Sequence, residues 1–268
     1  MYFIIILALV QGLTEFLPVS SSGHLILMPK IFNVKDQGVI VDIALHSGTL
    51  LAVLVYFRHI IFSMIKDCIV FIKTGEKSKN TRLAFYLIIS TIPAVFIGLV
   101  LKKIGLDRFR HVLIVASALM FYGVIMIFCC RFSVGKKLEE LKLKDSVIIG
   151  LSQALAFIPG TSRSGVCMIA GNFLGFSKRE SAKFSFLLSI PTIAGATLLA
   201  SIDLYQYSSS FDFSIIGIGV ICSFTFGIMA IYVMMKFLQK YSLKSFGIYR
   251  ILLSIVLFTF YFYNTISL

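Results

Sequence analysis

The sequence predicts an all-α polytopic membrane protein built as an inverted-topology repeat, each half a re-entrant helical hairpin followed by three transmembrane helices. Three observations carry this expectation. Of the 268 residues, 58% are hydrophobic and 14% charged, and the mean hydropathy is +0.96, whereas soluble domains are about 25% charged. Six apolar stretches, at about residues 39–57, 83–101, 112–130, 184–200, 213–235 and 248–263, match the about 20 residues that cross a bilayer as a helix. A polar segment also occurs twice, as QGLTEFLPVSSSGH at 11–24 and QALAFIPGTSRSG at 153–165. Laid over each other without a gap, Gln11/Gln153, Leu13/Leu155, Ser20/Ser162, Ser22/Ser164 and Gly23/Gly165 coincide at an offset of 142 residues.

The elements follow in order. Residues 2–10 are apolar but too short to span, lack a basic leading stretch, and run into Gln11 and Glu15 rather than a small-residue cleavage site. They read as the first arm of a hairpin and not as a signal peptide. Pro18 and Pro159 are expected to stop the incoming half-helices, and Gly23 and Gly165 to supply the tight geometry for a restart over 24–32 and 165–173. The hairpins then cover about 2–33 and 146–176. The stretch 60–72 is apolar but carries Lys66 and Asp67, the pattern of an interfacial helix rather than a further span. Three spans separate the two breaks, an odd number, so the breaks enter the membrane from opposite sides. The whole chain, 1–268, is expected to be one membrane domain, with repeat 1 at about 1–130 and repeat 2 at about 146–268.

Charge orients the chain. Arg58, Lys66, Lys73, Lys77, Lys79 and Arg82 lie in one loop region, and Lys236, Lys240, Lys244 and Arg250 in another; both are expected on the cytoplasmic side. The loop at 201–212 has no Lys or Arg and two Asp, so it is expected outside. The stretch 102–110, with Lys102, Lys103, Arg108 and Arg110 against Asp107, would also lie outside, against the rule. The net charge of +13 is thus read as positive-inside loops meeting anionic lipid headgroups, not as a nucleic-acid surface. The five cysteines show no metal-type spacing and are expected to behave as small hydrophobes without disulfides.

Non-helical backbone at membrane depth is tolerated only where protein or a wet cavity satisfies it, so two such breaks point to a site. Half-helix N-termini aimed at the interior make an anion site. The hydroxyls of Ser20, Ser21, Ser22, Thr161, Ser162 and Ser164 can cap those ends or bind the anion directly. Arg163 adds a forked, permanently charged guanidinium suited to phosphate. A charge at the bilayer centre costs about 2.5–3.5 kcal/mol on insertion scales, so Glu15 and Arg163 should face inward and have partners. They could simply pair with each other and lock the repeats together, but serines at both breaks favour a shared ligand. His24, beside an anion nest, an acid and an arginine, is equipped for phosphoryl transfer. His46 and His59 read as helix-packing residues, and Asp42 with His46, one turn apart, as a supporting polar pair.

The run EFLPVSSSGH at 15–24, together with PGTSRSG at 159–165, resembles the two signature motifs of the undecaprenyl-diphosphate phosphatase family of the bacitracin-resistance type. The resemblance extends along the chain and includes FSFLLSIP at 184–191. It implies a multi-pass hydrolase of the bacterial cytoplasmic membrane, opening to the outer face, that converts undecaprenyl diphosphate to the monophosphate carrier of cell-wall precursors. It further implies Glu15, Ser21, His24 and Arg163 as catalytic residues and a requirement for Mg²⁺ or Ca²⁺. On that reading Glu15 would hold the metal with help from Gln11, and Ser20, Ser22, Thr161, Ser162, Arg163 and Ser164 would bind phosphate. Many members have a glutamate where this chain has Gln11, whose amide oxygen coordinates a metal but supplies neither charge nor a base. His24, Ser21 and metal-activated water all stay open as nucleophile. The expected partners are the polyprenyl diphosphate lipid and membrane lipids, without nucleic acid, with a homodimer as the association state to test. A rival class is a lipid-phosphate or anion carrier, since broken helices in inverted repeats also build transporters; a carrier would need no nucleophile.

Overall fold

The computed structural model describes residues 2–32, 38–104, 111–205 and 213–266. Its helices are α1 (Tyr2–Phe16), α2 (Ser21–Ile31), α3 (Gly38–Tyr56), α4 (Arg58–Thr74), α5 (Lys79–Ile104), α6 (Val112–Cys129), α7 (Leu143–Ala154), α8 (Arg163–Phe173), α9 (Lys178–Tyr205), α10 (Phe213–Lys240) and α11 (Lys244–Ile266). A helix satisfies its own backbone groups, which lipid cannot do. Among the described residues the only isolated extended pairing is a parallel bridge between Lys136 and Phe176. Residues 105–110 of the basic stretch and 206–212 of the acidic loop lie outside the described residues.

Among the described residues, α5, α6, α9, α10 and α11 are long and apolar enough to cross a membrane, and α3 with α4 would make a sixth span but for a bend of 75° between them. That bend falls where the apolar run ends and Arg58 begins. Phe62, Ile65, Ile69 and Ile72 of α4 are exposed on a helix that also carries Lys66, Asp67 and Lys73, so α4 has the apolar and charged faces of a helix lying in the interface. Gly75 ends it in the left-handed region at φ 77, donating its N–H to the Phe71 carbonyl at 2.8 Å. The Asp67 carboxylate accepts from Ser78 Oγ at 2.6 Å and Asn80 Nδ2 at 3.0 Å, tying α4 to the start of α5; these two bonds hold its carboxyl below the ordinary range.

The order of elements, α1, α2, α3, α5 and α6 followed by α7, α8, α9, α10 and α11, is consistent with the expected repeat. The bounds of α2, Ser21–Ile31, and of α8, Arg163–Phe173, coincide at the offset found in the sequence. The halves exchange partners: α1 packs on α10, α7 on α5, α3 on both α10 and α9, and α6 on α11. Glycine permits two of these approaches. A Cβ on Gly12 of α1 would meet Phe226 Cβ of α10 at 2.7 Å, and one on Gly150 of α7 would meet the Ser90 carbonyl of α5 at 2.6 Å. Each re-entrant arm, too short to span alone, is thereby buried against the opposite half. With α3, α5 and α6 lying between the two breaks in the chain, the order of elements is consistent with inverted repeats.

The connection between halves is fastened rather than loose. Val134 and Lys136 donate backbone N–H groups to the Gly175 carbonyl at 3.2 and 3.0 Å, Ser133 Oγ donates to the Phe176 carbonyl at 2.9 Å, and Lys136 Nζ meets Asp145 at 2.6 Å. Beside the site, Phe16 and Phe186 meet edge to face with centroids 5.4 Å apart, both fully buried in the main core.

Candidate active site

Both breaks are built alike. Helix α1 ends at Phe16 ahead of Pro18, and α7 ends at Ala154 with a 3₁₀ turn over Leu155–Phe157 ahead of Pro159. Each chain then turns at a serine held at positive φ, Ser20 at 76° and Ser162 at 71°, a conformation that costs a non-glycine residue on the order of 1–3 kcal/mol. Offsetting this, each serine caps the next helix: Ser20 Oγ accepts from the Gly23 N–H at 3.3 Å and Ser162 Oγ from the Gly165 N–H at 3.1 Å. The tight turn therefore falls on the serines, not on Gly23 and Gly165 as the sequence suggested. Those glycines lie inside α2 and α8, where a Cβ would come within 3.2 Å of Ser20 Oγ and 3.1 Å of Ser162 Oγ respectively; what they supply is close approach to the cap.

The breaks bring a carboxylate and a guanidinium together from opposite halves. Arg163 Nη2 donates to Glu15 Oε1 at 2.7 Å, and its Nη1 is anchored on the Ser185 carbonyl at 3.0 Å. Glu15 Oε2 accepts from Ser21 Oγ at 2.8 Å and from Gln11 Nε2 at 3.1 Å, one helical turn earlier. Glu15 is 7% and Arg163 13% exposed, so little water screens the pair. Both line a cavity of about 340 Å³. Its wall adds Asp42 and His46 from α3, Gln153 from α7 and Thr192 and Thr197 from α9, with Ala94, Phe157, Ile193, Ala196 and Ala200 among its apolar lining. The chamber thus combines a few polar groups with a mostly apolar lining, the usual make-up of a small-molecule site.

His46, read from sequence as packing, faces this chamber. Its Nδ1 donates to the Asp42 carbonyl at 2.7 Å, which leaves Nε2 toward Glu15 Oε2 at 4.0 Å. Of the expected catalytic and metal-holding residues only Glu15 and Arg163 line the cavity; Gln11, Ser21 and His24 do not. His24 Nδ1 lies 2.7 Å from the Ser20 carbonyl, and a carbonyl only accepts, so Nδ1 carries the proton. Nε2 then accepts from the Tyr249 hydroxyl at 2.8 Å, and both ring nitrogens are engaged. Of the expected phosphate ligands only Arg163 lines the cavity. Ser20, Thr161, Ser162 and Ser164 are buried, and the hydroxyls of Ser20 and Ser22, like those of Ser162 and Ser164, lie 3.3 Å from each other.

Arg250 was grouped above with a basic loop at 236–250, yet it lies inside α11 and is 0% exposed. It donates to the carbonyls of Pro18 at 3.1 Å, Gly160 at 2.7 Å and Thr161 at 3.0 Å. The signal was present, because Arg250 also falls within the expected span at 248–263, and a charge inside a span marks an interior role. Gln153, the repeat partner of Gln11, was likewise visible but unassigned; its Oε1 accepts from Thr192 Oγ1 at 3.1 Å on the cavity wall.

Comparison with known proteins gives the family. The family model for the bacitracin resistance protein BacA matches residues 4–256. An undecaprenyl-diphosphatase of Hahella chejuensis is 44% identical over 250 residues, 93% of this chain and 94% of that protein. An undecaprenyl-diphosphatase 2 of Stutzerimonas stutzeri is 43% identical over 258 residues, 95% and 96% of the two chains. An undecaprenyl-diphosphatase of Alteromonas mediterranea is 41% identical over 260 residues, 97% and 98% of the two. With the family model spanning nearly its whole length and such identity running from end to end, the chain belongs to the bacitracin resistance protein BacA family.

Proposed function

We propose that this multi-pass membrane protein hydrolyses undecaprenyl diphosphate to undecaprenyl phosphate and inorganic phosphate, recycling the lipid carrier and conferring bacitracin resistance. The observation that carries the reading is the Glu15–Arg163 pair at 2.7 Å, brought together from the two breaks onto the wall of a mostly apolar chamber. The names of the relatives support the substrate. The bacterial cytoplasmic membrane, with the site open to its outer face, is where a diphosphate carrier released by cell-wall synthesis would be met.

In this reading the terminal phosphate approaches Arg163, whose fork binds two phosphate oxygens. Ser21 Oγ attacks phosphorus as its proton passes to Glu15 Oε2, with which it already shares a 2.8 Å hydrogen bond. The bond from phosphorus to the bridging oxygen breaks, and undecaprenyl phosphate leaves with its electron pair. Water then attacks the phosphoserine, losing its proton to solvent, while Glu15 returns its proton to Ser21 Oγ; inorganic phosphate is released. Arg163, anchored on the Ser185 carbonyl, stabilises the charge on the equatorial oxygens throughout. His24 Nε2 faces the Tyr249 hydroxyl, whereas Ser21 Oγ faces a carboxylate that can take its proton, which favours Ser21.

Mg²⁺ or Ca²⁺ fits the same place. Gln11 Oε1 is buried without a hydrogen-bond partner, one turn from the Glu15 carboxylate, and hard cations take oxygen ligands. Among the described residues no three His, Cys, Asp or Glu converge, so Glu15 and Gln11 would hold the cation with phosphate oxygens and water completing its shell. Once bound it would neutralise diphosphate charge. Purified protein should release phosphate from a C55 polyprenyl diphosphate and stop with EDTA, and Arg163→Ala should lose at least about 10³-fold in turnover. Inactive wild type with metal supplied, or a fully active Arg163→Ala, would sink the reading.

A further inference from the structure

Two adjacent residues of α11, Tyr249 and Arg250, reach the site from the last helix of the second half, and the hydrolysis chemistry makes no use of either. Arg250 is 0% exposed, and its donors go to carbonyl oxygens. Nη1 takes Pro18 of the first break at 3.1 Å, and Nη2 takes Gly160 and Thr161 of the second at 2.7 and 3.0 Å. Pro18 lies just ahead of Ser20 and Ser21, and Thr161 just ahead of Ser162 and Arg163. Backbone left unpaired at membrane depth must be satisfied by protein, and here one planar fork does so for both breaks at once. Next to it, the Tyr249 hydroxyl donates to His24 Nε2 at 2.8 Å, with the two rings stacked at 7° and centroids 6.0 Å apart. His24 Nδ1 in turn holds the Ser20 carbonyl at 2.7 Å.

We propose that Tyr249 and Arg250 form a clasp that holds the two breaks in the register at which Ser21, Glu15 and Arg163 meet, and that His24 is the third member of this clasp. All three are positioning residues. A lysine would not serve in place of Arg250, because its compact ammonium lacks the fixed fork that addresses carbonyls from two separate segments. Loss of the clasp leaves the groups that contact substrate in place but lets Ser21 and Arg163 drift relative to each other. A misplacement of about 1 Å is enough to cost on the order of 10²-fold in rate, so the effect should fall on kcat and spare KM.

The kinetic part rests on the phosphohydrolase reading; the structural part stands without it. In nanodiscs, Arg250→Lys should lower kcat at least about 30-fold with KM within about two-fold. It should also raise hydrogen exchange in both breaks, 17–22 and 158–164, and leave the α3–α10 pair unchanged. Unaltered kcat, or exchange that rises at only one break, would overturn the clasp. Should Arg250→Lys fail to fold, Tyr249→Phe decides, since it removes one hydroxyl from a side chain that is 43% exposed. Tyr249→Phe and His24→Gln should each reduce kcat several-fold to the same degree, and the double variant should be no worse than either alone. Additive losses, or a far larger loss in His24→Gln, would instead make His24 a reacting group. If wild type released no phosphate, the reaction would be wrong, while the exchange measurement would still test the clasp.

Discussion

At Glu15 three donors converge on one carboxylate: Arg163 on Oε1, and Ser21 and Gln11 on Oε2. Such a pair has two readings, a lock between the repeats or working machinery, and energetics separates them. Removing one partner of a buried ion pair leaves the other charge uncompensated and typically costs about 3–5 kcal/mol, whereas replacing both with apolar groups of similar volume is often neutral. Glu15→Met and Arg163→Met should therefore each lower stability by about that amount, and the double variant should recover most of it. If the pair only locks the halves, the recovered double variant should hydrolyse substrate. The phosphohydrolase reading expects no phosphate release from any of the three, checked by thermal unfolding and phosphate assay on the same preparations.

The placement of these side chains depends on how closely the helices approach. Gly48 sits two residues beyond His46, and a Cβ there would fall 2.0 Å from Ser223 Oγ and 2.4 Å from the Val220 carbonyl of α10. Backbone cannot yield as a side chain can, so Gly48→Ala should cost about 1–3 kcal/mol and shift Asp42 and His46 on the cavity wall. Gly195 of α9 is the control, since nothing lies within 4 Å of its added Cβ; Gly195→Ala should stabilise by up to about 1 kcal/mol through helix propensity. Denaturation of the two variants side by side gives opposite signs if the packing is right. The helices themselves were legible because apolar length reports a span directly: 112–130 and 213–235 fall on α6 and α10. That α4 would not simply extend α3 was legible from Lys66 and Asp67 within an apolar run, and the 75° bend between the two helices agrees. Helix rotation was not legible, because in α3 the apolar residues surround the helix instead of forming one face; hence His46 was read as packing and not as cavity wall.

Across the whole molecule the likeness of the two breaks was legible in the five coincident pairs, of which Ser20 and Ser162 share a positive φ and a capping role. The convergence of Glu15 with Arg163 was also foreseeable, since two charges in a membrane seek each other. The interior place of Arg250 was readable from its position within a span, but its partners were not, because Pro18 is 232 positions away and hydropathy says nothing about which distant carbonyls a buried guanidinium will find. This exchange between halves leads to a last expectation. Because α1 lies mainly on α10 and α7 mainly on α5, each half leaves much of its first arm uncovered without the other, and the site takes Glu15 and Ser21 from one and Arg163 and Arg250 from the other. Segments 1–132 and 133–268 expressed separately should each be inactive and prone to aggregate through the uncovered arm. Expressed together they should co-purify through a tag on either one and regain at least about a tenth of the intact rate, since joining two pieces that already share large buried surfaces costs only effective concentration. Hydrolysis by either segment alone would show that one half suffices, and with it the composite site would fall.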